Sequence, residues 1–287
     1  MNLILLALAA QTATPAQLPA PAPEPQPRQA PAPRPDVPQA DAATVARFRE
    51  CAGLAGSAPD RAVESANAWR LQGGGLYARQ CLGLAYVALE RWAPAAAVYE
   101  QAARDAGAGD ARAADFWVQA GNAWLAAGEP TRAVLAFDAA LATTSLSDEL
   151  RGEVHLDRAR ALVALGNDAG ARQDIDRALR LVASDPFAWY LSAGLARRQN
   201  DLARAQADIA RALELGRDNP DIALLAGTIA GQAGNMVEAE RLYRRVAEAA
   251  PDSEAGRQAR DSLATLREVE VPAAAAANSP PTPSSPR

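Results

Sequence analysis

Cys51 and Cys81 are the two cysteines of this 287-residue sequence, and their chemistry would be disulfide formation. A bond between them would close a loop of about 30 residues across two predicted helices. Pairing is favoured if the chain is exported to an oxidising compartment. The alternative is that both are small buried apolar residues. The sequence leaves both interpretations open.

His155 is the one histidine, and it could in principle act in a catalytic triad. The competing interpretation, a packed or ion-paired histidine, is favoured because no other catalytic signature accompanies it. One histidine, two cysteines and no HExxH motif predict no metal site. The glycine run at Gly73 lacks the Lys-Ser/Thr pair of a phosphate-binding loop. We therefore predict no catalytic residue, no cofactor and no enzymatic activity.

The charged residues restrict the partners as well. All 29 basic residues are arginine, the net charge is −5 and the pI is near 5.1. No basic stripe is present of the kind that a phosphate backbone requires. We predict a protein or peptide partner, with neither nucleic acid nor a small-molecule substrate.

A repeated triad of small, large and small residues gives the sequence its organisation. The triads are Ala95/Tyr99/Ala102, Ala133/Phe137/Ala140, Ala171/Ile175/Ala178, Ala205/Ile209/Ala212 and Ala239/Tyr243/Val246, and their first members lie 38, 38, 34 and 34 residues apart. Twelve residues before each first alanine stands another small residue, in the order Gly83, Gly121, Ala159, Ala193 and Gly227. Each unit therefore reads as two amphipathic helices that approach closely at small residues. Gly128, Gly166, Asn200 and Gly234 suit the turn between them, and Glu90 is the exception.

This pattern resembles the tetratricopeptide repeat family over about residues 76–253. The resemblance implies an all-α fold, a right-handed superhelical solenoid of antiparallel helix pairs with a C-terminal capping helix. Trp117 and Trp189 match the first large position of the repeat, whereas Arg79, His155 and Ala223 depart from it. Arg158 stands where leucine is usual, so its helix is either shifted or pairs Arg158 with a nearby acid.

We expect six segments along the chain. Residues 1–10 are predicted to be a signal peptide, 11–40 a Pro/Ala-rich disordered linker, 41–75 a degenerate helix pair, 76–251 five repeats, 252–271 the capping helix and 272–287 a disordered tail. The apolar start, followed by a small-x-small cleavage site, predicts the periplasm or cell envelope as the location, with a cytoplasmic protein as the alternative.

The resemblance also implies a concave face lined mainly by the first helices of the pairs. Its inward positions are Val118, Asn122, Leu125, Leu156, Arg160, Val163, Tyr190, Arg197, Arg198, Leu224 and Thr228. From these we select Asn122, Leu156, Arg160, Tyr190, Arg197 and Arg198 as candidate ligand-binding residues, an apolar floor with arginines that suits a peptide carrying a carboxylate. An ordinary solvated inner face is the alternative. Some family members clamp a chain-end carboxylate with lysines, but Val118 and Phe187 replace those lysines here, so that activity is not transferred.

The expected function is a noncatalytic interaction scaffold that binds a protein or peptide in the concave groove. Two other hypotheses keep the same fold: a self-associating structural unit of the envelope, that is, a homo-oligomer, or a cytoplasmic adaptor.

Overall fold

The computed structural model describes the backbone of residues 41–107 and 110–277, and side chains as far as residue 266. The predicted signal peptide, the predicted linker and residues 278–287 of the predicted tail lie outside the described residues.

Within those ranges the chain forms helices and no strand. The helices are α1 (Ala42–Ser57), α2 (Pro59–Leu71), α3 (Gly75–Ala88), α4 (Trp92–Ala106), α5 (Arg112–Ala126), α6 (Pro130–Leu141), α7 (Asp148–Ala164), α8 (Asp168–Leu181), α9 (Pro186–Arg198), α10 (Leu202–Leu215), α11 (Pro220–Gln232), α12 (Met236–Ala249) and α13 (Glu254–Ala277). Each helix packs on the next one along the chain, as a stack of antiparallel hairpins requires. The all-α prediction is confirmed, and the right-handed sense of the superhelix stays a prediction.

Local sequence signals explain where many of these helices begin. Asp185 accepts a hydrogen bond from the Phe187 amide (2.9 Å), and Asn219 accepts one from the Asp221 amide (2.9 Å), each just before a first-turn proline. Such caps satisfy amide donors that have no partner within the helix.

The turn inside each pair imposes one backbone conformation on five different positions. Gly128, Gly166 and Gly234 have φ values of 76°, 74° and 84°, and Asn200 has 61°. Glu90 takes the same left-handed conformation, with φ 56°, although its side chain makes that unfavourable by roughly 1–2 kcal/mol. The geometry of the helical hairpin therefore outweighs the preference of glutamate for negative φ at position 90.

The two helices of a pair meet where a small residue faces a ring. An added Cβ at Gly83 would come within 2.4 Å of Tyr99, and one at Gly121 within 2.5 Å of Phe137. The first alanines of all five triads have no exposed surface: Ala95, Ala133, Ala171, Ala205 and Ala239. At Gly83 and Gly121, the ring of the facing helix thus occupies the space that a larger side chain would need.

Replacing Gly121 with leucine should lower the free energy of unfolding by roughly 1–3 kcal/mol, because the new side chain overlaps the Phe137 ring. Urea unfolding followed by circular dichroism measures this change. Gly194→Ala is a suitable control, since a Cβ there would approach nothing closer than Leu225 Cδ2 at 3.9 Å. Equal stability of Gly121→Leu and the parent would contradict this packing register.

The last helix closes the stack with an apolar face. Ala255 and Ala259 of α13 are buried, with Leu263 and Leu266 packed beside them against α12 and α11. Helix α13 continues to Ala277, beyond residue 272, where the sequence places the start of a disordered tail. Alanine is the strongest helix former, and a run of it follows Pro272.

None of the helices in the described part of the chain combines the length and apolar character that a membrane crossing requires.

Candidate functional site

A cavity of about 300 Å³ lies between the first helices of successive pairs. Four of the six predicted ligand-binding residues line it: Arg160, Tyr190, Arg197 and Arg198. The remaining lining residues are Ala159, Val163, Ile175, Leu191, Gly194, Leu195 and Leu225. We call this cavity the α7–α9 groove.

Helical spacing explains why these side chains converge. On α9, Tyr190, Gly194, Arg197 and Arg198 stand at i, i+4, i+7 and i+8, which are positions on one face of a helix. Arg160 and Val163 are three residues apart on α7 and share a face for the same reason.

The floor of the groove is apolar, and one of its positions lacks a side chain. Val163, Leu191 and Leu225 supply aliphatic surface, and Ile175 lies beneath them. Gly194 stands among them, and an added Cβ would meet only Leu225 Cδ2, at the ordinary contact distance of 3.9 Å. A side chain much larger than that of alanine at residue 194 would therefore enter the groove.

The three arginines of the groove differ in their partners. Arg160 is paired with Asp157 at 3.1 Å, and Arg198 with Asp168 at 3.1 Å. Arg197 makes no ion pair within the described residues, and its Nε is buried without a hydrogen-bond partner there. Among the described residues, Arg197 is thus the groove arginine that has no ion-pair partner.

Tyr190 provides an aromatic wall and a hydroxyl. Its ring stacks on Phe187, with centroids 5.8 Å apart and planes 18° from parallel. Burial raises the pKa of Tyr190, Asp221 adds to the increase and Arg197 opposes it. The phenol therefore stays protonated at neutral pH and can donate a hydrogen bond.

Two predicted ligand-binding residues do not line the groove. Asn122 instead donates a hydrogen bond to Asp157 Oδ2 at 3.0 Å, and so supports the acid that pairs with Arg160. Leu156 is only 2% exposed and belongs to a buried cluster with Ile175 and Leu195. Leu156 therefore packs in a cluster with residues of α8 and α9 and offers almost no surface to a ligand.

Sequence reasoning also missed groove residues. It selected Leu224 and Thr228 on α11, whereas Leu225 lines the groove, and it did not select Leu191 or Gly194. The signal for Gly194 was its spacing of four residues from Tyr190. The choice between Leu224 and Leu225 depends on the rotation of α11, which a short apolar helix does not reveal.

His155 lies in a buried charged cluster rather than in a catalytic arrangement. Its Nδ1 is 3.1 Å from Asp174 Oδ1, and Arg158 donates to both carboxylate oxygens of Asp174 at 2.7 Å. Arg158 also pairs with Asp138. Within the described residues, no serine or cysteine forms a hydrogen bond with His155, and no group of three His, Cys, Asp or Glu residues is placed to hold a metal. Of the two alternatives for Arg158, the structure shows the one in which Arg158 pairs with a nearby acid. We call His155, Arg158, Asp174 and Asp138 the Asp174 cluster.

The electrostatics of the cluster depend on Asp174, which is 1% exposed. Burial by itself would raise the pKa of Asp174. Hydrogen bonds from His155 and Arg158, together with the Arg158 charge, outweigh burial and lower that pKa to about 2. Asp174 is therefore ionised at neutral pH and accepts hydrogen bonds from His155, Arg158 and also Arg177, whose Nη1 lies 3.1 Å from Oδ1.

Cys51 on α1 and Cys81 on α3 are joined as a disulfide, with Cα atoms 6.0 Å apart. Both are buried, at 2% and 0% exposure. The bond connects the N-terminal helix pair to the first repeat.

Comparison with known proteins agrees with this architecture. The model of a family described as tetratricopeptide repeat matches residues 82–148, 156–205 and 190–254, which is more than half of the chain. No curated protein matches the sequence.

Several solved structures share the fold at low identity. PilW, described as a widely conserved type IV pilus biogenesis factor, aligns with a TM-score of 0.63 at 18% identity, covering 76% of this chain and 99% of PilW. PilF of Pseudomonas aeruginosa aligns with a TM-score of 0.59 at 18% identity, covering 77% and 97%. The C-terminal part of a repeat-containing protein from Cytophaga hutchinsonii gives 0.58 at 18% identity, covering 78% and 88%. Together with the family match and the thirteen helices of the described residues, this shows that the chain belongs to the tetratricopeptide repeat family.

Proposed function

We propose that this protein is a noncatalytic scaffold that binds a protein or peptide in the α7–α9 groove. Members of its family serve as protein-interaction scaffolds, since stacked repeats present extended surfaces to a partner. The observation that carries the proposal is the convergence of Arg160, Tyr190, Arg197 and Arg198 around an apolar floor. Such a floor with a few polar groups that set orientation is typical of a recognition site.

The location that we propose is the periplasm or cell envelope. The apolar residues Asn2 to Ala10 support this, as does a buried disulfide, which persists in oxidising compartments. PilW is described as a type IV pilus biogenesis factor, and this chain shares its fold. Fractionation of cells that produce the full chain tests the proposal: recovery in the cytoplasm alone would contradict it.

Self-association is the competing role for the same fold. Light scattering on the purified chain distinguishes the two, because an obligate oligomer would not elute at the mass of a monomer.

Filling the groove should abolish partner binding without unfolding the protein. Gly194→Phe places a ring in the groove, which Gly194 lines, so we expect partner recovery to fall at least tenfold. The measurement is crosslinking of the full chain in cells, followed by mass spectrometry of the crosslinked proteins.

Gly194→Ala is the matched control for this experiment. Its methyl group fits the space and improves helix propensity by up to about 1 kcal/mol, so both recovery and melting temperature should be retained. Equal recovery by Gly194→Phe and Gly194→Ala would move the binding site elsewhere.

A further inference from the structure

The charge balance around the α7–α9 groove is incomplete at one residue. Asp157 neutralises Arg160 and Asp168 neutralises Arg198, but no described acid pairs with Arg197. The Nε of Arg197 is also buried and lacks a hydrogen-bond partner among the described residues. Arg197 lines the groove, so a carboxylate supplied by a ligand there would provide the counter-charge that the described residues do not.

The surface next to Arg197 is aliphatic. Val163, Leu191 and Leu225 line the cavity together with Gly194, which stands one helical turn from Arg197. A ligand that reaches Arg197 therefore also covers apolar surface, and removal of water from that surface strengthens the neighbouring ion pair.

We propose that the occupant of the groove is a peptide segment that places an acidic side chain on Arg197 and an aliphatic side chain on the floor at Gly194. This deepens the proposed function and depends on it. A guanidinium pairs with a carboxylate through two parallel hydrogen bonds, which fixes orientation as well as charge.

The same charges disfavour a polyanion. Two of the three groove arginines already have partners, and one remaining positive charge matches one carboxylate. The whole chain carries a net charge of −5, which repels a nucleic acid or a surface of anionic lipids. An acidic peptide is therefore the partner that the charge distribution favours.

The test begins with a phage-displayed library of random twelve-residue peptides, selected on the full chain and counter-selected on Gly194→Phe. We expect the retained peptides to share an Asp or Glu near a Leu, Ile, Val or Met. The best of them is then synthesised with acetylated and amidated ends, so that its acidic side chain carries the one carboxylate. Replacing that residue by its amide should weaken binding to the parent roughly ten- to a hundredfold.

A double-mutant cycle assigns the loss to Arg197. Arg197→Gln should weaken binding of the acidic peptide by a similar factor. In that variant, replacing the acidic residue of the peptide by its amide should have little further effect on affinity. Arg180→Gln is the matched control, because Arg180 is exposed on α8 and lies outside the groove. Affinity for the acidic peptide should also fall with added salt, unlike affinity for the amide. The difference in affinity of the two peptides for the parent protein does not depend on whether any variant folds.

The outcomes separate this inference from the function on which it depends. Peptides that bind the parent, fail on Gly194→Phe and tolerate both the amide and Arg197→Gln would overturn the acidic ligand and leave groove binding intact. If no peptide discriminates between the parent and Gly194→Phe, both proposals are overturned.

Discussion

Replacing Asp174 with alanine should lower the free energy of unfolding by roughly 3–5 kcal/mol at pH 7, the largest effect that we expect of any single substitution in this protein. Asp174 is 1% exposed and accepts hydrogen bonds from Arg158, His155 and Arg177. Without the carboxylate, Arg158 loses two hydrogen bonds of 2.7 Å in a position from which water is largely excluded. The measurement is urea unfolding of parent and variant.

Asp176→Ala is the control for this prediction. Asp176 lies two residues further along α8 and pairs with Arg172 and Arg204, but its side chain is 38% exposed. Exposed ion pairs contribute about 0–1 kcal/mol to stability, so Asp176→Ala should lower the free energy of unfolding by no more than about 1 kcal/mol. A loss at Asp174 no greater than at Asp176 would show that the buried cluster contributes little.

The same cluster predicts how stability depends on pH. The pKa of Asp174 is lowered in the folded protein from 3.8 to about 2, so the folded state favours the ionised form. The resulting stabilisation of about 2 kcal/mol is complete above pH 5 and is lost as the pH falls towards 2. The difference in unfolding free energy between the parent and Asp174→Asn should therefore shrink over that interval. A difference independent of pH would contradict the ionised state.

Reduction of the Cys51–Cys81 disulfide should lower the free energy of unfolding by roughly 3–4 kcal/mol. The bond closes a loop of 30 residues and restricts the unfolded chain, and it connects α1 to α3. Because both cysteines are buried, reduction is best done in denaturant before refolding. Hydrogen exchange should then accelerate most in α1 and α2, which the bond ties to the rest of the stack.

The control is the double variant Cys51→Ala/Cys81→Ala, whose stability should not respond to reductant. Thiol counting gives an independent check on the purified, non-reduced protein. Two reactive thiols in that sample would contradict the prediction, since a disulfide-bonded pair of cysteines has no reactive thiol.

The repeat positions show how far sequence reasoning reached. The alanines of the five triads and the small residues opposite them are all buried at helix contacts, because only small side chains permit two backbones to approach so closely. Local periodicity encodes this contact directly, so the helix pairs could be predicted from spacing alone.

The groove was predictable in part for the same reason. Tyr190, Arg197 and Arg198 share one face of α9, a relation that spacing reveals. The burial of Leu156 and the place of Leu225 in the groove could not be predicted from spacing. The exposure of each side chain depends on how neighbouring helices cover it, and that coverage depends on the rotation of each helix about its axis.

What the amino-acid sequence determined by itself is the all-α fold, the pairing of its helices and the family to which the chain belongs. These follow from interactions between residues close together in the chain, which repeat with the period of the helix. The tertiary structure decided which charges find partners. Arg158 meets Asp174 sixteen residues away, while Arg197 meets no described acid. Such pairings depend on distances between side chains of separate helices, and a local pattern of residues does not specify those distances.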